Sequence, residues 1–410
     1  MTAQDFRAPE SIDRIRQRAL LAGVIGLVIC AIGIVKAPDR FFPSYLLAFM
    51  FVLGLSLGSL GLLMLQHLTG GNWGIIIRRP LESATRVLAV VAVLFVPIFF
   101  GMKYLYAAWL TAPRSGEGAL SEFQSRYLTL NGFRVRAIIY FAIWGILVFL
   151  FNRWSREQDA NPEDNTVRRR FKILAGPGII LYVFVMTFAA IDWVMSLSPH
   201  WASTIYGFIF IAGQLISSMS LMIAIVVLLA RTGPLSGILQ PRHVQDLGKL
   251  LLTFVMLWAY FQFSQLLIIW SGNQPEEISF YYSRLYSQWG VVAVIVVVFH
   301  FFVPFFLLLS RDLKRNPKLL PAVAIWLILM RLVDLFWYTR PEFTPRALPT
   351  IWDLAAALGV GGLWFFFFAG NLKQAPVLPV GDPHLAEAIA THEHSVPQCR
   401  RAPRARHRRV

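Results

Sequence analysis

The stretch GVVAVIVVVFHFFVPFFLLL, Gly290–Leu309, holds a single ionisable side chain, His300. Its length equals the roughly 20 apolar residues that a helix needs to cross a bilayer. No water-soluble domain has a use for such a segment at its surface, and this chain has several. Ala19 to Val35 carries no charge at all. Over all 410 residues, 57% are hydrophobic and only 15% charged, with a net charge of +16. Soluble domains carry about 25% charged residues. Outward from Gly290–Leu309, apolar runs alternate with breakers: "TGGNWG", "DANPEDN", "RTGPLSG", "SRDLKRNPK" and "TRPEFTPR".

Ten spans follow, at about 19–35, 42–68, 87–110, 136–152, 173–196, 204–230, 250–270, 287–309, 320–338 and 349–370. An all-α integral membrane protein is expected, because backbone groups in lipid must be satisfied within each segment. The first run follows a mixed-sign arm, residues 1–18, and lacks a small-residue cleavage site, so it reads as a retained helix. The membrane domain is expected over 19–370, with a Pro/Arg-rich disordered cytoplasmic tail over 371–410 that ends "RRAPRARHRRV".

Cations cluster on one side of this scheme. With a cytoplasmic N-terminus, 27 Lys and Arg fall inside and 9 outside, which favours both termini in the cytoplasm. The charge is therefore a topology signal. Cations scattered over loops argue against nucleic acid as a partner.

The two cysteines, Cys30 and Cys399, form no CxxC or CxxCH. The chain thus lacks the cysteine sets that hold iron–sulfur clusters, c-type haem or structural zinc. A bis-histidine haem needs two histidines at one depth, and the spans offer only His67 and His300, at different depths.

Ionisable groups inside apolar spans cost on the order of 2.5–3.5 kcal/mol each at the bilayer centre. Here they are His67, Lys103, Asp192, His300, Arg331 and Asp334, with Asp353 near a helix start; Gln66, Gln214, Gln262 and Gln265 join them. Arg331 and Asp334 share a helix face at i, i+3, either as a structural ion pair or as part of a relay. His300 lies roughly 16 Å along its helix from Trp289. Lys103 and Asp192, in the outward halves of their spans, either pair or mark an outer pocket. The six groups from His67 to Asp334 trace a candidate proton path with its mouth at His67. Gly54 and Gly58 form a GxxxG that allows close helix approach. Pro97, Pro177 and Pro304 interrupt spans without the paired breaks of many secondary transporters.

Three stretches, "LMLQHLTGGNWGIIIRRPLESATR" (63–86), "AAIDWVMSLSPHWASTIYG" (189–207) and "HFFVPFFLLLSRDLKRNPKLL" (300–320), resemble the NrfD/PsrC-like membrane family, and within it the ActF-type subunits of alternative complex III. The resemblance covers about residues 19–370. It implies two four-helix bundles, spans two to five and six to nine, with two flanking helices. It also implies a place in a bacterial inner-membrane quinol:electron-acceptor oxidoreductase of an electron transport chain. Its partners would be a homologous NrfD-like subunit, an iron–sulfur subunit, and multihaem and monohaem cytochromes c. Haem and iron–sulfur clusters would sit in those partners. This chain would carry no redox cofactor and only lipids, and would scaffold the complex and conduct protons. No quinol-binding residue transfers by motif, and no catalytic or metal-binding residue is expected. The rival reading is an independent secondary transporter of a small ion or solute.

Overall fold

The computed structural model describes residues 6–383 except 114, 115, 117, 163 and 164, together with Leu385. Ten helices are long and apolar enough to cross a membrane: α1 (Ser11–Lys36), α2 (Pro38–Thr69), α3 (Asn72–Phe100), α4 (Leu130–Ala160), α5 (Thr166–Leu197), α6 (Tyr206–Arg231), α7 (Pro241–Gly272), α8 (Trp289–Leu309), α9 (Leu319–Thr339) and α10 (Ile351–Leu372). Nine of them contain their expected spans to within a few residues at either end, the third, expected at 87–110, instead runs from Asn72 to Phe100, and no strand occurs among the described residues. The chain is an all-α, multi-pass membrane protein.

Helices α2 to α5 form one four-helix bundle and α6 to α9 a second, with α2 and α6 packed together where they meet. Helix α2 is the axis of the molecule. Its most apolar 18-residue window is entirely buried, whereas α1, α7 and α8 expose most of theirs. Close approach at the seam rests on Gly54 and Gly58: a Cβ at Gly58 would collide with the Gln214 backbone and Ser218 Oγ of α6. The expected role of the GxxxG is met there. The flanking helices α1 and α10 pair by the same means. Gly23 and Gly26 face Gly359 and Gly362 backbone to backbone, the contact that small residues permit where no hydrophobic driving force separates helix from lipid.

Two spans are irregular. Helix α3 is hitched at Val87 and Phe95 and continues beyond Gly101 as single turns to Leu110. In α8 the residues Val297–Phe302 form a π-turn. Pro304 explains it. Its ring carries no N–H and crowds the carbonyl four residues back, that of His300, so the helix widens for one turn there.

Two expectations require correction. "TGGNWG" reads as a breaker in a loop that also holds Arg78, Arg79 and Arg86. Only Gly70 and Gly71 break the helix, both at positive φ (71° and 98°), and Asn72–Arg86 is already helical and mostly buried. Secondly, a disordered tail from 371 does not describe its first part. α10 runs to Leu372, Val377 and Leu378 are fully buried, and the Val377 N–H donates to the Phe6 carbonyl at 2.8 Å. Residues 386–410, which include Cys399 and the Arg-rich end, lie outside the described residues.

Candidate functional site

Three clusters of buried polar groups are spaced along the levels of α5. Near its start, Phe171 stacks on His67 of α2, with ring centroids 4.1 Å apart. Eleven residues on, the Tyr182 hydroxyl donates to Gln214 Oε1 of α6 at 2.7 Å. Near its end stands Asp192. At 1.5 Å per residue these levels are roughly 15 Å apart, so His67 and Asp192 occupy opposite ends of the bundle.

The His67 end is built on α3. The motif "RRPLE" places Arg78 and Glu82 one turn apart, and Nε of Arg78 donates to Glu82 Oε1 at 3.0 Å. Arg79 donates to the other Glu82 oxygen at 2.8 Å and to both oxygens of Asp159 on α4. Ser155 of α4 donates to Glu82 Oε1 at 2.6 Å and accepts from Arg79 at 2.8 Å. Gln158 accepts from Arg78 at 2.7 Å, and Asp382 takes its remaining nitrogen at 2.8 Å. Glu82 is 1% exposed. Buried charges persist only when paired and hydrogen-bonded, and Glu82 meets both conditions.

The middle cluster joins three expected residues. Arg331 and Asp334 of α9 form the predicted pair. Arg331 rests directly on Gly213 of α6, where a Cβ would occupy the guanidinium's place. His300 has no exposure, and its ring meets Trp258 of α7 edge-on at 4.5 Å between centroids. The same indole adjoins the Asp334 carboxylate. Neither His300 nitrogen, nor Asp334 Oδ1, nor Trp258 Nε1 has a hydrogen-bond partner among the described residues. Unsatisfied polar groups thus gather at the heart of the second bundle, and π-turns of the kind that carries His300 recur at functional sites. Gln214, next to Gly213, reaches the other way to Tyr182 and so links the two bundles.

At the far end Asp192, fully buried, receives Arg136 of α4 through Nε and Nη2 at 2.8 and 2.9 Å and the Tyr140 hydroxyl at 2.7 Å. Burial, with the negative Asp192 beside it, pushes the Tyr127 phenol up to about 12. Lys103 does not share this site. It is exposed and lies over the ring of Tyr104 at 4.9 Å. The option of a Lys103–Asp192 pair is therefore overturned: Arg136, counted in the sequence as a topology cation, is the partner. Asp353 has a local role, since both the Thr350 N–H and hydroxyl donate to it at 2.7 Å as a helix cap. Gln262 accepts from Tyr338 at 2.6 Å and Gln265 accepts from Ser203.

Between these levels the bundle is apolar but for buried serines such as Ser59 and Ser218, whose hydroxyls donate to the Leu55 carbonyl at 2.7 and 3.0 Å. Met64 packs against Gly178 of α5 below Tyr182, and Met186 accepts the Gln214 amide at 3.1 Å above it. The polar groups form a ladder with missing rungs. No group of three or more His, Cys, Asp or Glu converges in a metal-ligating arrangement among the described residues. No protein-family model and no curated protein matches the chain.

Proposed function

We propose that the chain is the membrane-embedded, ActF-like subunit of a quinol:electron-acceptor oxidoreductase of the alternative complex III type, in the NrfD/PsrC-like family. It works without a redox cofactor of its own, scaffolding the complex and carrying protons. One observation supports this reading above others. The three stretches that resemble the family contribute a buried polar group to each of the three levels: Arg78, Arg79 and Glu82, beside the half-buried His67, in the first stretch, Asp192 in the second, His300 in the third. A resemblance resting on apolar composition alone would have no reason to coincide with those groups. In this reading Arg331 and Asp334 hold the charge at mid-membrane while His300 exchanges a proton across the π-turn.

The membrane is proposed to be the bacterial cytoplasmic membrane, with both termini inside, on the strength of the Lys and Arg asymmetry. The partners are an iron–sulfur subunit, multihaem and monohaem cytochromes c and a second NrfD-like chain.

The rival, an independent transporter, draws on the interrupted α3 and α8, since broken helices around a midplane site typify such proteins. Isolation from native membranes separates the two. An affinity-tagged chain extracted in mild detergent is expected to bring haem-containing and iron–sulfur polypeptides with it. A colourless, solitary protein that catalyses ion or solute uptake in liposomes would replace this reading by the rival.

A further inference from the structure

At the corner between α2 and α3, beside the His67 end of the proposed proton path, lies a cavity of about 240 Å³. We propose that it binds a glycerol-phosphate group, the headgroup chemistry of an anionic phospholipid. Three cations line it, Arg78, Arg168 and Lys172, against one carboxylate, Asp382; the Arg78 nitrogens are engaged by Glu82, Gln158 and Asp382, which leaves the rim charge to Arg168 and Lys172. Lys172 is exposed at the rim and has no ion pair among the described residues. The opposite wall is the N-terminus of α3. Its N-cap, Gly71, offers no side-chain acceptor, so the first N–H groups of α3 are available to an anion.

The floor supplies a second, independent sign of a ligand. Gln66 is 6% exposed, lines the cavity, and its Oε1 has no hydrogen-bond donor among the described residues. His67 Nε2 beside it is likewise unpartnered among them. A buried carbonyl oxygen without a donor costs about 1–3 kcal/mol, which a ligand hydroxyl would offset. A cationic rim with an acceptor at its floor suits a molecule bearing both a phosphate and a hydroxyl. The surroundings favour a lipid as its source. Leu68 and Ile173, adjacent to His67 and Lys172, are 46% and 62% exposed, so acyl chains would descend along α5 from a headgroup held at the rim. Basic pockets between membrane helices are a recurring binding site for such headgroups.

The site shares His67 with the proposed proton path, but its ligand can be tested on the full chain alone, without the oxidoreductase partners. The delipidated protein in detergent is titrated with dioleoylphosphatidylglycerol, dioleoylphosphatidic acid, dioleoylphosphatidylcholine and sn-glycerol 3-phosphate, with binding read by native mass spectrometry and thermal unfolding. Phosphatidylglycerol is expected to bind and raise the unfolding temperature, and phosphatidylcholine is not. Lys172→Gln is expected to weaken phosphatidylglycerol about fivefold, the effect of one cation at an anionic surface, while Lys249→Gln, distant on α7, leaves it unchanged. Gln66→Leu is expected to abolish the preference for phosphatidylglycerol over phosphatidic acid, which lacks the free hydroxyls. Equal binding of glycerol 3-phosphate would keep the site and assign it to a soluble ester. Phosphatidylglycerol binding that is absent, or indifferent to Lys172→Gln, overturns the proposal. That variant lies on the exposed rim, so it decides the matter even if Gln66→Leu does not fold.

Discussion

Arg136 on α4 grips Asp192 on α5 with two nitrogens, one on each carboxylate oxygen, at 2.8 and 2.9 Å. The carboxylate is sealed from solvent, while the guanidinium is about one-fifth exposed. The two groups are therefore unequal under mutation. Arg136→Ala strands a buried charge and is expected to destabilise the fold by about 3–5 kcal/mol. Asp192→Asn keeps the shape and leaves a cation that can reach water, so its cost should be clearly smaller. Thermal unfolding of the full chain in detergent checks the order. Equal losses would mean that the geometry, and not the buried charge, stabilises this end.

Gly213 and Gly145 make a matched pair. A methyl group at Gly213 must displace the Arg331 guanidinium, whereas one at Gly145 meets nothing within 4 Å. Gly213→Ala is expected to cost about 1–3 kcal/mol as overpacking. Gly145→Ala, in the interior of α4, is expected to gain roughly 0.5–1 kcal/mol from helix propensity. The same unfolding assay reads both, with opposite signs.

In the α3–α4 network, Glu82 is the acceptor that both Arg78 and Arg79 share. Glu82→Gln should cost about 3–5 kcal/mol because two guanidinium groups lose their buried counter-charge. Ser155→Ala removes one hydrogen bond to that carboxylate and should cost about 1.5–3 kcal/mol. A neutral Glu82→Gln would show that water or Asp159 carries the charge instead.

The proton relay is tested at mid-membrane. In the assembled complex, Asp334→Asn and His300→Phe are expected to leave assembly and detergent-measured quinol oxidation intact while lowering proton release in sealed vesicles. Unchanged coupling in an intact complex removes the relay. Failure to assemble makes the Arg331–Asp334 pair a structural pin, of the kind that averages about 0.6 kcal/mol per hydrogen bond in membranes.

Topology is tested by reporter fusions. Fusions at Gly233 and at the C-terminus are expected to report the cytoplasm, and one at Gly272 the opposite side. An external signal at Gly233 contradicts the proposed orientation.

The number of spans, their all-α character and the Arg331–Asp334 pairing could be read from the chain, because each is a local property. Twenty apolar residues must satisfy their own backbone in lipid, and i, i+3 spacing puts two side chains on one face. Gly54 and Gly58 announced a close approach for the same reason. What folding alone decided is which charges meet. Arg78 and Arg79 look like any loop cations until α4 brings Ser155, Gln158 and Asp159 to them. Arg136 looks like a topology charge until α5 brings Asp192, and Trp258 is one more apolar residue until it stands between His300 and Asp334. Such pairings cross about 40 to 80 positions of sequence, and no helical period encodes them. They depend on which helices neighbour each other and how each is rotated. In a membrane that choice turns on close contacts such as Gly58 on α6 and Gly213 under Arg331, where absent side chains leave the room.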